Sequence, residues 1–161
     1  IIINLCSVVH FKINFVASGN NRQNSSKNGV FSLKKFNPSI TLIHDAARPF
    51  VSAQIITDCL SALENADGSA PILDSPDSLV KWNGQSAAFV NRSEVKLVQT
   101  PQCFRRELIL NILSANIQST DEIGMVLKAF PESKLKFVLG DPMNTKITTN
   151  LDLQYISNLQ K

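Results

Sequence analysis

The residues best suited to chemistry stand together in residues 40–51, I-T-L-I-H-D-A-A-R-P-F-V. An apolar, β-branched run ends at Ile43 and is followed at once by His44, Asp45, Ala46, Ala47, Arg48 and Pro49. A buried parallel strand delivers charged groups at its carboxyl end in this way, and ligands of open α/β sheets bind there. Asp45 is a hard oxygen ligand suited to Mg²⁺. The small side chains of Ala46 and Ala47 let a substrate approach the backbone. Taken alone, the run reads equally well as a strand-to-helix turn with Asp45 as cap and Arg48 as its surface partner.

The elements that must position these residues follow from periodicity. Residues 9–16 alternate apolar with polar, the pattern of a half-exposed strand. Ser18, Gly19, Asn20 and Asn21 form a turn, and residues 22–33 lead into a helix, with Ser25 placed to act as a cap. Ser52 caps a further helix whose Ile56, Leu60 and Leu63 share a face, and Asn65, Asp67 and Gly68 end it. Residues 69–73 read as a short strand. After a turn at 74–77, two strand-like runs flank Asn83-Gly84, a strong hairpin signal. A hairpin cannot bury both its faces, so this one needs a partner chain or the body of the domain. Residues 105–116 have helical period with Leu108, Ile112 and Leu113 inward. Thr120-Asp121-Glu122 reads as a cap with acids in the first turn, opening a helix with Ile123, Val126, Leu127 and Phe130 on one face. Residues 134–139 alternate as a strand, Gly140-Asp141-Pro142 turns, and residues 144–148 should form a buried strand around Lys146. Thr149 and Asp152 have capping-box spacing before a last helix.

Composition excludes several classes. With 43% hydrophobic and 18% charged residues the chain is globular, and its length suits one domain with a core. The net charge of +3 comes from scattered basic residues, which argues against a nucleic-acid surface. No apolar run reaches membrane-spanning length. Residues 1–17 lack the basic start of a signal peptide and carry His10 and Lys12 where an apolar core should be. Cys6, Cys59 and Cys103 match no metal spacing or disulfide framework, as expected for small hydrophobes in a reducing cytoplasm. The chain opens on isoleucine, which suggests a fragment.

Two later stretches, V-Q-T-P-Q-C-F at 98–104 and N-T-K-I-T-T at 144–149, stand in order behind H-D-A-A-R-P. Together the three make the chain resemble the 2-C-methyl-D-erythritol 4-phosphate cytidylyltransferases of non-mevalonate isoprenoid biosynthesis; the closely similar ribitol-5-phosphate cytidylyltransferases share much of the pattern. The resemblance runs from about Val16 to Asp152. It implies an α/β, Rossmann-like nucleotidyltransferase three-layer sandwich, N-terminally truncated, forming a single domain over residues 1–161 with a protruding β-arm at 74–98. It also implies CTP as co-substrate, Mg²⁺, a sugar or polyol phosphate acceptor, and a cytoplasmic homodimer clasped through the arm.

Residue by residue, the resemblance implies that Gly19, Asn20 and Ser25 line a cytosine pocket, with Ala46 beside the nucleotide. Asp45 would hold Mg²⁺ and, with Arg48, face the substrate. Lys146 would grip the acceptor phosphate, joined in trans by Arg92 and Ser78 of the arm, while Thr100 and Thr120 add hydroxyl bonds. Without the family pattern, Arg92 and Lys146 read as solvated surface cations, and His44 as structural. The departures matter as well. Nothing like the family's A-A-G-x-G-x-R phosphate loop occurs in this sequence, so the chain alone is expected to be nearly inactive. Asn20 replaces a usual acid, Ser78 a threonine and Thr145 an isoleucine. A non-catalytic paralogue that only dimerises is the reading from a different class.

Overall fold

A computed structural model of the chain describes residues 13–115 and 117–159, and side chains as far as residue 154. Residues up to Asn37 make one compact unit and those from Pro38 onward another.

In the first unit, helix α1 (Arg22–Ser32) is capped by Asn21, whose side chain accepts from the Asn24 N–H at 2.8 Å. Ser25 therefore lies inside the first turn and is not the cap. The helix is mostly polar and buries only Val30 among its residues. A 3₁₀ turn at Lys34–Phe36 follows, closed by Asn37 in the left-handed region at φ 50°. Of the strand expected over 9–16, residues 9–12 lie outside the described residues. Residues 13–16 are irregular and exposed, because alternation makes a strand only where a neighbouring strand pairs with it.

The second unit is built on β2 (Gly68–Asp74). Strand β7 (Leu135–Leu139) pairs with it in parallel along one edge, from Gly68↔Leu135 to Ile72↔Leu139. Along the other edge run β6 (Gln102–Arg105) and then β5 (Lys96–Val98), both antiparallel, with Ser69 opposite Cys103 and Ile72 opposite Val98. Residues 99–101, which include a cis Thr100-Pro101 bond, separate those two strands. Strand β1 (Ile40–Ile43) completes the sheet as a neighbour of β6, Ile40 facing Arg105 and Ile43 facing Gln102. This corrects the expectation of a buried parallel strand: among the described residues β1 is an antiparallel edge, and Leu42 is exposed. Both β1 and β2 run opposite to β6, so β1 still points the same way as β2 and β7. Its carboxyl end emerges where the parallel rule placed it.

Helix α2 (Ala53–Ala62) is capped by Ser52, as expected, with Ile55 N–H donating to its hydroxyl at 3.2 Å. Its buried stripe is Ile55, Cys59 and Ala62, continued by Leu63; of the expected face only Leu63 is buried, with Leu60 exposed and Ile56 between. Both stripes have helical spacing, and the sheet selects the one whose small residues allow close approach. Ile55, Cys59 and Leu63 pack on Cys103, with Ile40, Val51 and Val138 around them. Cys59 and Cys103 are thus buried free thiols serving as small hydrophobes. The hydrogen bond between the two thiols, and then burial, push Cys103 up, and the same contact draws Cys59 down. Gly68 does not terminate this helix. It opens β2, where a Cβ would lie 2.8 Å from Leu135 Cδ2 and 3.0 Å from Phe104 Cδ1.

Helix α3 (Arg106–Ser114) buries Leu108, Ile109, Ile112 and Leu113. Helix α4 (Glu122–Ala129) buries Ile123, Met125 and Val126 but leaves Leu127 exposed. The hairpin predicted around Asn83-Gly84 is formed by β3 (Leu79–Trp82) and β4 (Ala87–Val90), in register from Leu79↔Val90 to Trp82↔Ala87. Gly84 takes φ +96°, and Asn83 Oδ1 accepts from the N–H groups of Gln85 and Ser86 at 3.0 and 2.9 Å. Val80, Trp82 and Phe89 on this hairpin are exposed, Phe89 to 80%. The capping box forms as its spacing predicts: Asp152 Oδ2 accepts from Thr148 and Thr149 N–H, and Thr149 Oγ1 accepts from Asp152 N–H, opening α5 (Asn150–Leu159). Residues 144–148 are not a strand. They form an irregular link with Thr145 half-buried, so its hydroxyl meets no sheet interior. Among the described residues no helix is long and apolar enough to cross a membrane.

Candidate active site

The site begins where β1 ends. Residues 45–48 turn back on themselves, Arg48 N–H donating to Asp45 O at 2.9 Å, with Ala46 exposed at the tip. Thr100 holds this turn from the neighbouring chain segment. Its hydroxyl oxygen accepts from Asp45 N–H at 3.0 Å and lies 3.0 Å from His44 Nδ1. Arg48 O can only accept, so His44 Nε2 carries a proton and donates to it at 2.9 Å. His44 is therefore a brace, as the sequence suggested.

Two cations close on the Asp45 carboxylate. Lys146 Nζ lies 3.1 Å from Oδ2 and Arg48 Nε 3.7 Å from the same oxygen. The Asp45 and Arg48 side chains are 16% and 13% exposed, against 44% for Lys146. Burial draws the Arg48 guanidinium down from its ordinary value, and the Asp45 charge partly offsets this. Arg48 Nη1 donates to Asn144 O at 2.7 Å, and Ile147 N–H donates to Ala47 O at 2.8 Å. The trio carries one positive charge in excess, at the end of a sheet where a ligand can reach it. That is the electrostatic character of a phosphate site.

The structure thus brings together Asp45, Arg48, Thr100 and Lys146, with Ala46 on the same turn. Arg92 and Ser78 lie at the base of the hairpin and are exposed; Arg92 Nη1 donates to Pro76 O at 2.9 Å. Thr120 is exposed and sits just before the true cap of α4, Asp121, whose Oδ1 accepts from Gly124 N–H at 2.8 Å. In the first unit Gly19 N–H donates to Ser25 Oγ at 3.0 Å, and that hydroxyl donates to Asn21 O at 2.9 Å. A Cβ on Gly19 would lie 2.3 Å from Asn24 Cβ, so only glycine fits this turn. Asn20 is exposed beside it.

Three residues that carry the geometry went unassigned in the sequence. Gln99 and Asn144 are buried and bonded to one another and to the segment that carries Lys146. Gln102, also buried, donates to Asp121 Oδ2 at 2.9 Å and accepts from Ile123 N–H at 3.0 Å, fixing α4 to β6. The signal available was amide side chains in apolar company, Gln99 after Val98 and Gln102 before Cys103.

The sequence pattern described as "IspD: 2-C-methyl-D-erythritol 4-phosphate cytidylyltransferase" matches residues 4–159. The chain belongs to this family. It is 34% identical over 153 residues to the 2-C-methyl-D-erythritol 4-phosphate cytidylyltransferase of Azobacteroides pseudotrichonymphae genomovar. CFP2, covering 92% of this chain and 68% of that protein. It is 33% identical over 143 residues to the bifunctional enzyme IspD/IspF of Wolbachia sp. subsp. Brugia malayi (strain TRS), covering 86% of this chain and 34% of that protein. Among solved structures, the 4-diphosphocytidyl-2C-methyl-D-erythritol synthase from Anaerococcus prevotii DSM 20548 superposes with a TM-score of 0.87 at 26% identity, covering 99% of this chain and 73% of that one. The mixed α/β fold is therefore that of solved members of the IspD family.

Proposed function

We propose that the chain is a single nucleotidyltransferase domain that transfers a cytidylyl group from CTP to 2-C-methyl-D-erythritol 4-phosphate in the cytoplasm. An oxygen of the acceptor phosphate forms a bond to the α-phosphorus of CTP, the bond to the β-phosphate oxygen breaks, and pyrophosphate leaves with the electron pair. No covalent protein nucleophile is needed. The protein must bring two polyanions together and hold them in line. The observation that carries this reading is the Lys146–Asp45–Arg48 cluster, at 3.1 and 3.7 Å, at the end of β1 in a chain of this family.

Lys146, half-exposed beside Asp45, is the group placed to grip the acceptor phosphate. Arg48 is buried and braced on Asn144 O, so it stabilises the site's charge from below. Thr100 acts by holding the turn. Arg92 and Ser78 act in trans, supplied by the hairpin arm of a second copy, and Thr120 adds a hydroxyl. Gly19, Asn20 and Ser25 are the first unit's groups for cytidine recognition, Ser25 by keeping the Gly19 turn closed, and Ala46 on the Asp45–Arg48 turn is the second unit's.

The residues present fit Mg²⁺. Among the described residues no three His, Cys, Asp or Glu side chains converge as a cluster, but Mg²⁺ is commonly held by one or two carboxylates, substrate phosphates and water. Asp45 would be the protein's ligand. When bound, Mg²⁺ supplies neutralisation of the triphosphate charge.

The test is pyrophosphate release from CTP with Mg²⁺, using this chain and a version carrying the family's glycine-rich loop at its amino end. Release with 2-C-methyl-D-erythritol 4-phosphate, lost in Asp45→Asn and Lys146→Ala, is the expected result. Release only with ribitol 5-phosphate overturns the acceptor. A folded, dimeric extended chain that releases none with either acceptor points to the non-catalytic paralogue, and wild-type turnover in either variant overturns that residue's role.

A further inference from the structure

Lys146 sits on an irregular link, yet its ammonium group is held 3.1 Å from Asp45. A long side chain on a loop has no such precision of its own, so something must fix the backbone beneath it. The fixed points are on the page. On the far side, Ile147 N–H is bonded to Ala47 O at 2.8 Å. On the near side the anchor is a primary amide. Gln99 Nε2 donates to Asp141 O at 2.9 Å and to Asn144 O at 3.2 Å, while Gln99 Oε1 accepts from Asp141 N–H at 3.2 Å and Asn144 Nδ2 at 3.4 Å. Two donors and two acceptors face the correct ends of this amide, which fixes its orientation. Asn144 Nδ2 also donates to Thr100 O at 2.9 Å. Gln99 is itself tied down, its N–H donating to Pro71 O of the central strand at 2.8 Å.

We infer that the Gln99 side chain, with Asn144, is the positioning clamp that sets Lys146 and Arg48 against Asp45, and so determines affinity for the acceptor phosphate without touching it. Asn144 O takes both a Gln99 and the Arg48 donor, so one carbonyl couples the clamp to the charged trio. Gly140 shows how tightly the space is shared: a Cβ there would lie 2.6 Å from Gln99 Oε1 and 2.9 Å from Ile72 O. The inference rests on the proposed phosphate-gripping role of Lys146, and its test separates the two.

The experiment is a double-mutant cycle with Gln99→Met, which keeps the volume and removes the bonds, and Lys146→Ala. Calorimetric binding of 2-C-methyl-D-erythritol 4-phosphate is measured on all four chains, beside amide exchange of Ile147. Gln99→Met is expected to weaken binding about ten- to a hundredfold, the usual range for supporting partners of a charged site. In the Lys146→Ala background the same change should cost clearly less, since only its hold on Arg48 is left to lose. Ile147 exchange should accelerate in Gln99→Met while the amides of α2 hold.

An equal loss in both backgrounds means general destabilisation and overturns the clamp. So does an unchanged Ile147 amide. If Lys146→Ala leaves phosphate binding unchanged while Ile147 loosens in Gln99→Met, the clamp's hold on this backbone stands and the role of Lys146 falls; a wild-type chain that does not bind the phosphate overturns the link from clamp to affinity. Gln99→Glu keeps the shape and the two acceptor contacts but, when ionised, has no proton to donate. It should show the same pattern and serves if the methionine variant does not fold.

Discussion

Replacing Asp45 by asparagine keeps the shape of the side chain and removes its charge. The structure leaves two cations behind: Lys146 Nζ, 3.1 Å from Oδ2, and Arg48 Nε, 3.7 Å away. An exposed ion pair contributes up to about 1 kcal/mol, whereas breaking a fully buried one costs about 3–5 kcal/mol. Here the lysine is 44% exposed and the arginine 13%. The lysine contact therefore belongs near the first figure, and the arginine contact, longer and without a direct hydrogen bond from Nε, falls short of the second. A loss of about 2 kcal/mol is expected, which in a domain of this size lowers Tm by about 4–8 °C. Many functional carboxylates behave the other way, and neutralising them stabilises the fold. The sign therefore tests the geometry. Thermal denaturation at pH 7 of the wild type, Asp45→Asn and the exposed control Glu132→Gln is sufficient, the control staying within about 0.5 kcal/mol. A melting point that is unchanged or raised in Asp45→Asn would refute the view that the two cations are held by this carboxylate.

Gly68→Ala should destabilise by about 1–3 kcal/mol by overpacking, because the new methyl would press on Phe104 and Leu135; an unchanged denaturant midpoint would show that β2 yields there. Trp82→Ser combined with Phe89→Ser should turn the proposed dimer into a folded monomer in sedimentation, since both side chains are exposed on a hairpin that pairs only with itself among the described residues. A dimer that survives both changes places the interface elsewhere. The Asp152 carboxyl is drawn below the ordinary range by the Thr148 and Thr149 backbone N–H groups. A folded value below the unfolded one means that its contribution is present above the unfolded value and lost as pH falls through the lowered one. The Thr148 and Thr149 amide resonances should therefore titrate with a midpoint below that of a free aspartate, and a midpoint at the ordinary value would exclude the cap.

Much of this architecture was legible because it depends on neighbours in sequence. Ser52, the Asn83-Gly84 hairpin and the Thr149–Asp152 box are local patterns whose bonds span a few residues, and each forms as read. The errors have a common source in contacts from far along the chain. Helix α2 offers two stripes with the same period, and only β2, β6 and β7 decide which is buried. Residues 144–148 look like a strand in sequence, but their backbone bonds to a turn at Ala47 and to the Gln99 side chain, so no ladder forms. Residues 13–16 have alternation but no strand beside them among the described residues.

The candidate site divides in the same way. Asp45 and Arg48 stood out because charge at the end of an apolar run is conspicuous, and Lys146 stood out only through the N-T-K-I-T-T resemblance. The groups that set their distances did not, since glutamine, asparagine and threonine are ordinary on any surface and become informative only when buried. Thr100 reaches Asp45 N–H and His44, Gln99 reaches Asp141 and Asn144, and Asn144 reaches Thr100 and Arg48. All of these bonds but the one to Asp141 join two of the three stretches that carry the family resemblance. The proposed phosphate site uses one aspartate and two cations, but holding those three charges in register from two separate segments requires the side-chain amides and hydroxyls that a third supplies. That is why H-D-A-A-R-P, Q-T-P and N-T-K are longer than their charged letters, and why changes at the uncharged letters should weaken phosphate binding while leaving every charge in place.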